Sequence, residues 1–532
     1  MWTASGLLLG LVVVACVLAV VARRAEPYLR ARIVGELEEH FHARVELDSF
    51  HVSLRNGLWA EGKGLRIWPP AQVEGVSVPG AGGPLLSLDE FRFRAPLRYE
   101  PGKPIHIPVV QLKGLHIKLP PKSHFGHPAA GAQKSSSSMV RFEVDQVECT
   151  GADLVMGTSK PGKLPLDFAI AHFKLTNIGS GRAMSFNAEL TNPRPVGTIH
   201  STGFFGPWNV TDPGESPITG DYRFDHADLA IFKGIAGILD STGHYQGTLR
   251  ELVADGDADV PDFRLTHYGN AMPLHTHFHA RVDGTNGDTW LEPVDATLGH
   301  SHFTAQGQIV RVPDPNAPVA RSLGHDIALT IHVDRARIED FTQLASAPRR
   351  TTPLLTGDVA VKANLHVPPG PASVHEKMTL AGTFDLDQVR FTSAKIQKWI
   401  EELSLRGQGR PGDIKTTDSA TMRSRMQGTF KLGGGVMTLP ALRYTVPGAD
   451  IQLKGTYGVD GGALNFDGTV KLDAPVSKMV GGWKGLLLKP ADRFFKKDGA
   501  GTEVPIHIEG TREEPKFGID FDRMRGKPED KR

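Results

Sequence analysis

The chain has 532 residues, 60 Lys+Arg against 59 Asp+Glu, and two cysteines. Balanced charge excludes the strongly basic face of a nucleic-acid-binding protein. Two cysteines exclude a disulfide scaffold or a Cys-rich zinc module, and Gly 59 with Pro 38, without a collagen period, points to many turns between short strands.

In chain order, residues 2–22 carry no charge and 7–21 are almost wholly Leu, Val, Ala and Gly. About 20 apolar residues match a hydrocarbon core of roughly 30 Å, so the stretch reads as an N-terminal transmembrane helix. A secretory signal peptide has a shorter apolar region behind basic residues. Val13-Val14-Ala15-Cys16 has the form of a lipoprotein cleavage box, yet the apolar run continues to Ala22. Arg23, Arg24, Arg30 and Arg32 follow the span, which by the positive-inside rule would keep that side cytoplasmic. Charge alone leaves the orientation open.

Residues 26–43 read as an amphipathic helix, with Leu29, Ile33, Leu37 and Phe41 every four positions. The period then changes to two, at Val45/Leu47, Val52/Leu54, Ile105/Ile107, Leu115/Ile117/Leu119 and Phe142/Val144. Such alternation predicts strands with one apolar and one wet face. Residues 121–140, with Pro, Ala, Gly and four consecutive serines, read as a linker or long loop. Strands resume over 141–370, and 282–288 has hairpin chemistry.

An internal repeat links Gly220-Asp221-Tyr222-Arg223-Phe224-Asp225-His226-Ala227 to Gly382-Thr383-Phe384-Asp385-Leu386-Asp387-Gln388-Val389. A short apolar-periodic segment follows each copy, 229–239 and 391–403, which predicts a strand–helix–strand unit used twice. The C-terminal third runs Gly428-Thr429-Phe430-Lys431-Leu432, Gly435-Val436-Met437-Thr438-Leu439-Pro440-Ala441-Leu442, then Ile451-Gln452-Leu453-Lys454-Gly455. It closes with Val504-Pro505-Ile506-His507-Ile508-Glu509-Gly510-Thr511 and Pro515. Residues 474–497 read as an amphipathic helical pair broken at Pro490, and 517–521 as the last strand.

This succession of strands and its closing Pro-apolar-x-apolar-x-Gly-Thr resembles the AsmA family over about 375–522. Residues 1–70, a span followed by an amphipathic helix and strands, resemble it too. The resemblance implies a single-pass inner-membrane protein with its bulk in the periplasm. It also implies kinship with bridge-like lipid-transfer proteins of the TamB and YhdP type, phospholipid acyl chains as cargo, and outer-membrane or other envelope proteins as partners. The expected organisation is an anchor (1–22), an N-terminal helix with strands (23–120), the linker (121–140) and a central β region (141–370), then a C-terminal β region (371–522) and a charged tail (523–532).

The expected fold is therefore mainly β: an elongated curled sheet forming a trough, or β-groove, with a few short amphipathic helices behind one transmembrane helix. Some 30 strands of about eight residues would extend roughly 150 Å if flat. Strict alternation would line the trough with Leu274, Phe278, Val282, Phe384, Leu386, Phe430, Leu432, Leu453 and Phe466. Acyl chains need a continuous apolar surface and no fixed polar partner, so the reading is of a non-enzymatic, lipid-handling protein without cofactor. A scaffold that captures strands of outer-membrane proteins is the alternative.

Three features invite a chemical reading and each has a plainer one. His275, His277 and His279 project from one strand face and have the donor chemistry for zinc; a polar outer face explains them as well. Gly407-Gln408-Gly409-Arg410-Pro411-Gly412 matches G-x-G-x-x-G, but no helix pattern opens behind it. His375-Glu376-Lys377-Met378-Thr379 lacks the final histidine of H-E-x-x-H, and Cys149 reads as a small core residue.

Overall fold

The computed structural model describes residues 26–27, 29–38, 43–53, 58–68, 83–94, 105–119, 121, 142–160, 162–178, 183–193, 195–209, 212–268, 270–316, 322–345, 353, 355–415, 422–459, 461–479 and 501–519. The expected membrane span, Phe41, nearly all of the 121–140 linker, 480–497 and the charged tail lie outside these residues. Among the described residues no helix is long and apolar enough to cross a membrane.

The strands are β1 (Val45–Ser53), β2 (Trp59–Ile67), β3 (Leu86–Arg94), β4 (Ile105–Leu119), β5 (Phe142–Met156), β6 (Leu166–Ile178), β7 (Met184–Pro193) and β8 (Val196–Phe205). Next come β9 (Pro217–Asp228), the two-residue β10 (Ile235–Ala236), β11 (Ile238–Thr248), β12 (Glu251–Leu265), β13 (Ala271–Asp283), β14 (Thr289–Leu298), β15 (Ser301–Pro313) and β16 (Ser322–Arg337). The last are β17 (Leu355–Val367), β18 (Thr379–Phe391), β19 (Arg425–Gly433), β20 (Val436–Val446), β21 (Ala449–Gly458), β22 (Ala463–Leu472), β23 (Thr502–Thr511) and β24 (Pro515–Ile519). Five helices join them: α1 (residues 29–38), α2 (Ile338–Leu344), α3 (Val374–Lys377), α4 (Ala394–Gly407) and α5 (Val476–Met479).

Each strand pairs with the next in chain order from β1 to β24, except that β9 pairs with β11 and β10 hangs on the end of β12. All these pairs are antiparallel but one. The parallel pair is β4 with β5, the two strands that flank the 121–140 segment. A parallel neighbour needs a connection long enough to return the chain to the starting end, and that segment supplies the length.

The strands are fewer and longer than the alternation predicted, reaching 16 residues in β16. Prolines that read as strand breaks sit inside strands at bulges. The register slips between Val260 and Phe263 around Pro261, between Leu291 and Val294 around Pro293, and between Leu439 and Leu442 around Pro440. A bulge leaves a residue unpaired, so the missing N–H of proline costs the ladder nothing there.

The repeat survives in the backbone, with one correction. His226 and Gln388, at the same place in the two copies, are non-glycine residues with positive φ, 56° and 55°. Both mark bulges, and the residues that follow, Ala227 and Val389, are fully buried. The second copy leads into α4, capped by Ser393, whose side chain accepts from the Ile396 amide. The first does not form the expected helix: 229–231 make one 3-10 turn and the rest becomes β10 and the start of β11. Gly234 and Gly237, at φ 113° and 143°, hold backbone that a helix cannot contain.

The ribbon curls. Leu166 at the start of β6 donates its amide to Thr285 O in the β13–β14 turn at 3.1 Å, across six strand steps that would span about 29 Å on a flat sheet. Val374 after β17 likewise donates to Lys233 O after β9 at 2.8 Å, across seven steps. Glycines set the direction. A Cβ on Gly203, Gly382 or Gly468 would stand 2.0, 2.1 or 1.8 Å from a carbonyl oxygen of the adjacent strand, so the backbone closes in on the face those absent side chains would occupy.

Two cores lie on that face. In the first, Leu29, Ile33, Val34 and Leu37 of α1 pack on Val45, Leu47, Leu65, Leu88 and their neighbours in β1–β5. In the second, Ile396, Trp399, Ile400 and Leu403 of α4, with Ile338 and Phe341 of α2, pack on Val359, Leu386, Tyr444, Ile451 and Val470. Trp399 also stacks on Phe517 of β24 at 4.5 Å between ring centroids, six strand steps from the strand that leads into α4.

Candidate functional site

Directly opposed residues on neighbouring strands point to the same side, so the pairings trace the inward face across the sheet. One row runs Leu47, Leu65, Leu88, Leu115, Ala152, Ile170, Leu190, Ile199, Phe224, Ser241, Ala258, Thr276, Ala296 and Phe303. Another runs Val333, Val361, Phe384, Gly428, Leu442, Leu453, Gly468 and Ile506. Among the described paired residues this face carries no carboxylate and no lysine. Arg311 and its partner His325 share its parity at the rim, where Arg311 Nη1 donates to Pro165 O at 3.3 Å.

All nine residues expected to line the trough lie on this face, but in two settings. Leu274, Phe278 and Val282 in β13 and Phe430 and Leu432 in β19 are half-buried. Small residues between them, Ala258, Ala280 and Ala296, are less than a tenth exposed with no described helix over them, as happens where a concave surface draws side chains together. Leu386 lies within the core that α4 shares, Phe384 and Leu453 pack against that core, and Phe466 is buried. The C-terminal residues thus serve partly as the seat of α4.

Two features of this face escape a reading of single strands. The first is an aromatic ring opposite a glycine, repeated along the sheet: Phe91/Gly62, Phe186/Gly203, Tyr222/Gly243, Tyr245/Gly220, Phe278/Gly256, Phe384/Gly428, Phe430/Gly382 and Phe466/Gly455. A Cβ on Gly62 would stand 2.2 Å from Phe91 Cζ, and one on Gly455 2.7 Å from Phe466 Cδ1. These rings lie flat across glycine, which fills the bend with apolar surface instead of leaving backbone bare. The second is a group of four hydroxyls on the floor of β8–β11, Ser201, Tyr222, Ser241 and Tyr245. Ser201 meets Tyr245 at 2.8 Å and Ser241 meets Tyr222 at 3.1 Å.

The opposite face is wet and ionic. His275, His277 and His279 face Asp259, Asp257 and Asp255 of β12 across the pair, at 2.6, 2.9 and 3.5 Å. The hydrogen bond to Asp257, followed by the nearby charges of Asp257, Asp255 and Asp295, raises His277 above its ordinary pKa. Among the described residues no group of three His, Cys, Asp or Glu is placed to hold a metal ion; the three imidazoles point to three separate carboxylates. A depression of about 940 Å³ bordered by Lys362, Asp385, Arg443 and Lys454 takes its charges from this wet face. Asp385 is paired with Arg425, and Arg443 with Asp450.

The remaining motifs resolve structurally. The G-x-G-x-x-G stretch is the C-terminal cap of α4: Arg410 donates its amide to Leu405 O at 2.9 Å, with Gly409 at φ 71° between them. His375 and Glu376 sit in α3, where Ser373 and Glu376 form a reciprocal capping box. Cys149 is a buried, unpaired thiol in the first core, pushed up to about 11 by burial. No family model, curated protein or solved structure matches the chain.

Proposed function

We propose that this protein is a membrane-anchored lipid-handling protein of the AsmA type, holding phospholipid acyl chains in its trough during outer-membrane biogenesis. The observation that carries this reading is the inward face, which runs across the ladder with no carboxylate or lysine among its paired residues. Each buried CH₂ is worth about 0.8 kcal/mol, so a chain laid along such a face gains affinity in proportion to its length. A charged lining would cancel that gain, because an ion desolvated by the lipid costs several kcal/mol. Half-buried Leu274, Phe278 and Val282 offer surface a chain can still cover, and the rings over glycine keep the surface smooth. In this reading α1 and α4 close the two ends, and the segment 2–22 anchors the chain in the inner membrane with its bulk in the periplasm.

A photo-crosslinking residue placed singly at Leu274, Phe278, His275 and His277 of the full chain, expressed in cells fed labelled phosphate, tests this. Labelled lipid should attach at Leu274 and Phe278 and not at the intervening histidines. Equal labelling at all four, or none, overturns the reading. Protein adducts at the inward positions in place of lipid would favour a scaffold for envelope proteins.

A further inference from the structure

The four hydroxyls on the floor of β8–β11 interrupt an otherwise apolar surface, and their hydrogen bonds can be followed atom by atom. Ser201 Oγ donates to Asp221 O at 3.0 Å, and Ser241 Oγ donates to Asp257 O at 2.8 Å. A serine has one hydroxyl hydrogen, so in each pair the phenol is the donor: Tyr245 to Ser201, and Tyr222 to Ser241. Every hydroxyl hydrogen of the group is then engaged, and the open valences are acceptor lone pairs on the two phenol oxygens.

The surroundings suit the same kind of ligand. Ser201 and Ser241 are buried, which fixes the network from below. Gly203, Gly220, Gly243 and Gly256 complete the floor without side chains; a Cβ on Gly220 would stand 3.1 Å from Tyr245 Oη and one on Gly256 2.7 Å from Tyr222 Oη. The Tyr222 and Tyr245 rings have centroids 6.5 Å apart. Burial pushes both phenols up, with Asp257 and Asp255 behind Tyr222 and Asp221 behind Tyr245 adding to it. The phenols therefore stay protonated, in a field from behind the sheet that disfavours anions.

We propose that Tyr222 and Tyr245 form a polar seat within the trough that takes the hydrogen-bond donor group, ammonium or hydroxyl, of an acyl lipid. This rests on the lipid-handling reading above and narrows it: the trough would prefer lipids that carry N–H or O–H at their polar end over lipids that carry none. A quaternary ammonium has the charge but no donor, so it separates hydrogen bonding from attraction to the ring faces.

The test is uptake by the full chain, in detergent, of three photoreactive phospholipids with identical acyl chains: phosphatidylethanolamine, phosphatidylglycerol and phosphatidylcholine. The wild type should take the first two about five-fold more than the third, the ratio expected of one hydrogen bond. The variant Tyr222→Phe with Tyr245→Phe keeps both rings over glycine and should bring all three to the phosphatidylcholine level, whose unchanged uptake reports an intact trough. Preference for only one donor lipid identifies the source as amine or glycerol hydroxyl and supports the seat. Equal uptake of all three by the wild type, or a preference that persists in the variant, overturns it. Uptake of none by the wild type overturns the lipid-handling reading itself.

Discussion

The inward face is the same kind of surface throughout, yet the two ends and the middle use it differently. Under α1 and α4 it is core: Leu47, Ile67, Val359 and Ile451 are nearly inaccessible, and long apolar side chains of a helix close over them. Between, from β7 to β15, alternation is as strict, but the lining is half-buried and no described helix lies on it. In a ladder where strands touch mainly their neighbours, stability comes from repeated nearest-neighbour interfaces and the ends need covering. The helices supply that cover. The difference teaches that apolar alternation alone does not distinguish a packed surface from an open one; what distinguishes them is whether a connection is long enough to return a helix over the face. The β18–β19 connection is; the β11–β12 and β14–β15 turns are two residues.

The sharpest way to break this comparison is truncation at matched positions. Leu386→Ala, in the core shared with α4, should cost about 2–4 kcal/mol, read as a lower denaturation midpoint in urea. Leu274→Ala, on the open lining, should cost under about 1 kcal/mol, because its site is already half open to solvent. Equal costs would mean that the middle is packed as tightly as the end. A second, somewhat smaller effect should follow from Gly468→Ala. The added carbon meets Gln452 O at 1.8 Å, and forcing the strands apart should cost roughly 1–3 kcal/mol. Gly412→Ala, with nothing within 4 Å, should leave the midpoint unchanged.

Reactivity gives a third probe. With Cys16 replaced by serine, Cys149 is the remaining thiol, and burial that holds it near 11 should protect it from maleimide at pH 8 until the first core opens. Labelling should therefore begin at the urea concentration that unfolds β1–β5, and prompt labelling in buffer would show that α1 leaves this end uncovered. The smallest expected effect is on pH. His277 is raised in the folded chain by Asp257, with Asp255 and Asp295 facing it from the neighbouring strands and His275 and His279 from its own. A raised folded pKa contributes stability that is fully present below the unfolded value of about 6.5 and is lost as pH rises through the folded value. The midpoint should fall slightly from pH 6 to pH 8, and His277→Gln should flatten that slope. A slope unchanged in the variant would place its origin elsewhere.

Much of the fold was legible because a strand's period of two is local: Leu274, Phe278 and Val282 announce their shared face without any knowledge of neighbours. The face of α1 was legible for the same reason. What was not legible depends on register. The excess of glycine and proline read as turn supply, whereas Gly256, Gly428 and Gly455 sit mid-strand under rings and Pro261, Pro293 and Pro440 sit at bulges. Neither role can be recognised before the partner strand is known. The apolar spacing at 229–239 fits a helix as well as it fits the turn and strands that form, and Gly234 with Gly237 decides between them. The Asp255/Asp257/Asp259 ladder mirrors His275/His277/His279 at equal spacing, a signal open to inspection once the two runs are compared. The pairing of Ser201 with Tyr245 spans 44 positions and leaves no local trace.

The single parallel joint between β4 and β5 has an evolutionary corollary. In a meander, a new hairpin enters between any two neighbours and lengthens the trough by two strand spacings, roughly 10 Å, while every existing rim connection stays on its own side. Inserting one strand alone reverses the direction of everything downstream and demands a crossing segment like the one before β5. Length in such a protein is therefore a quantity natural selection adjusts in steps of two strands, and β4–β5 records the place where that parity was broken.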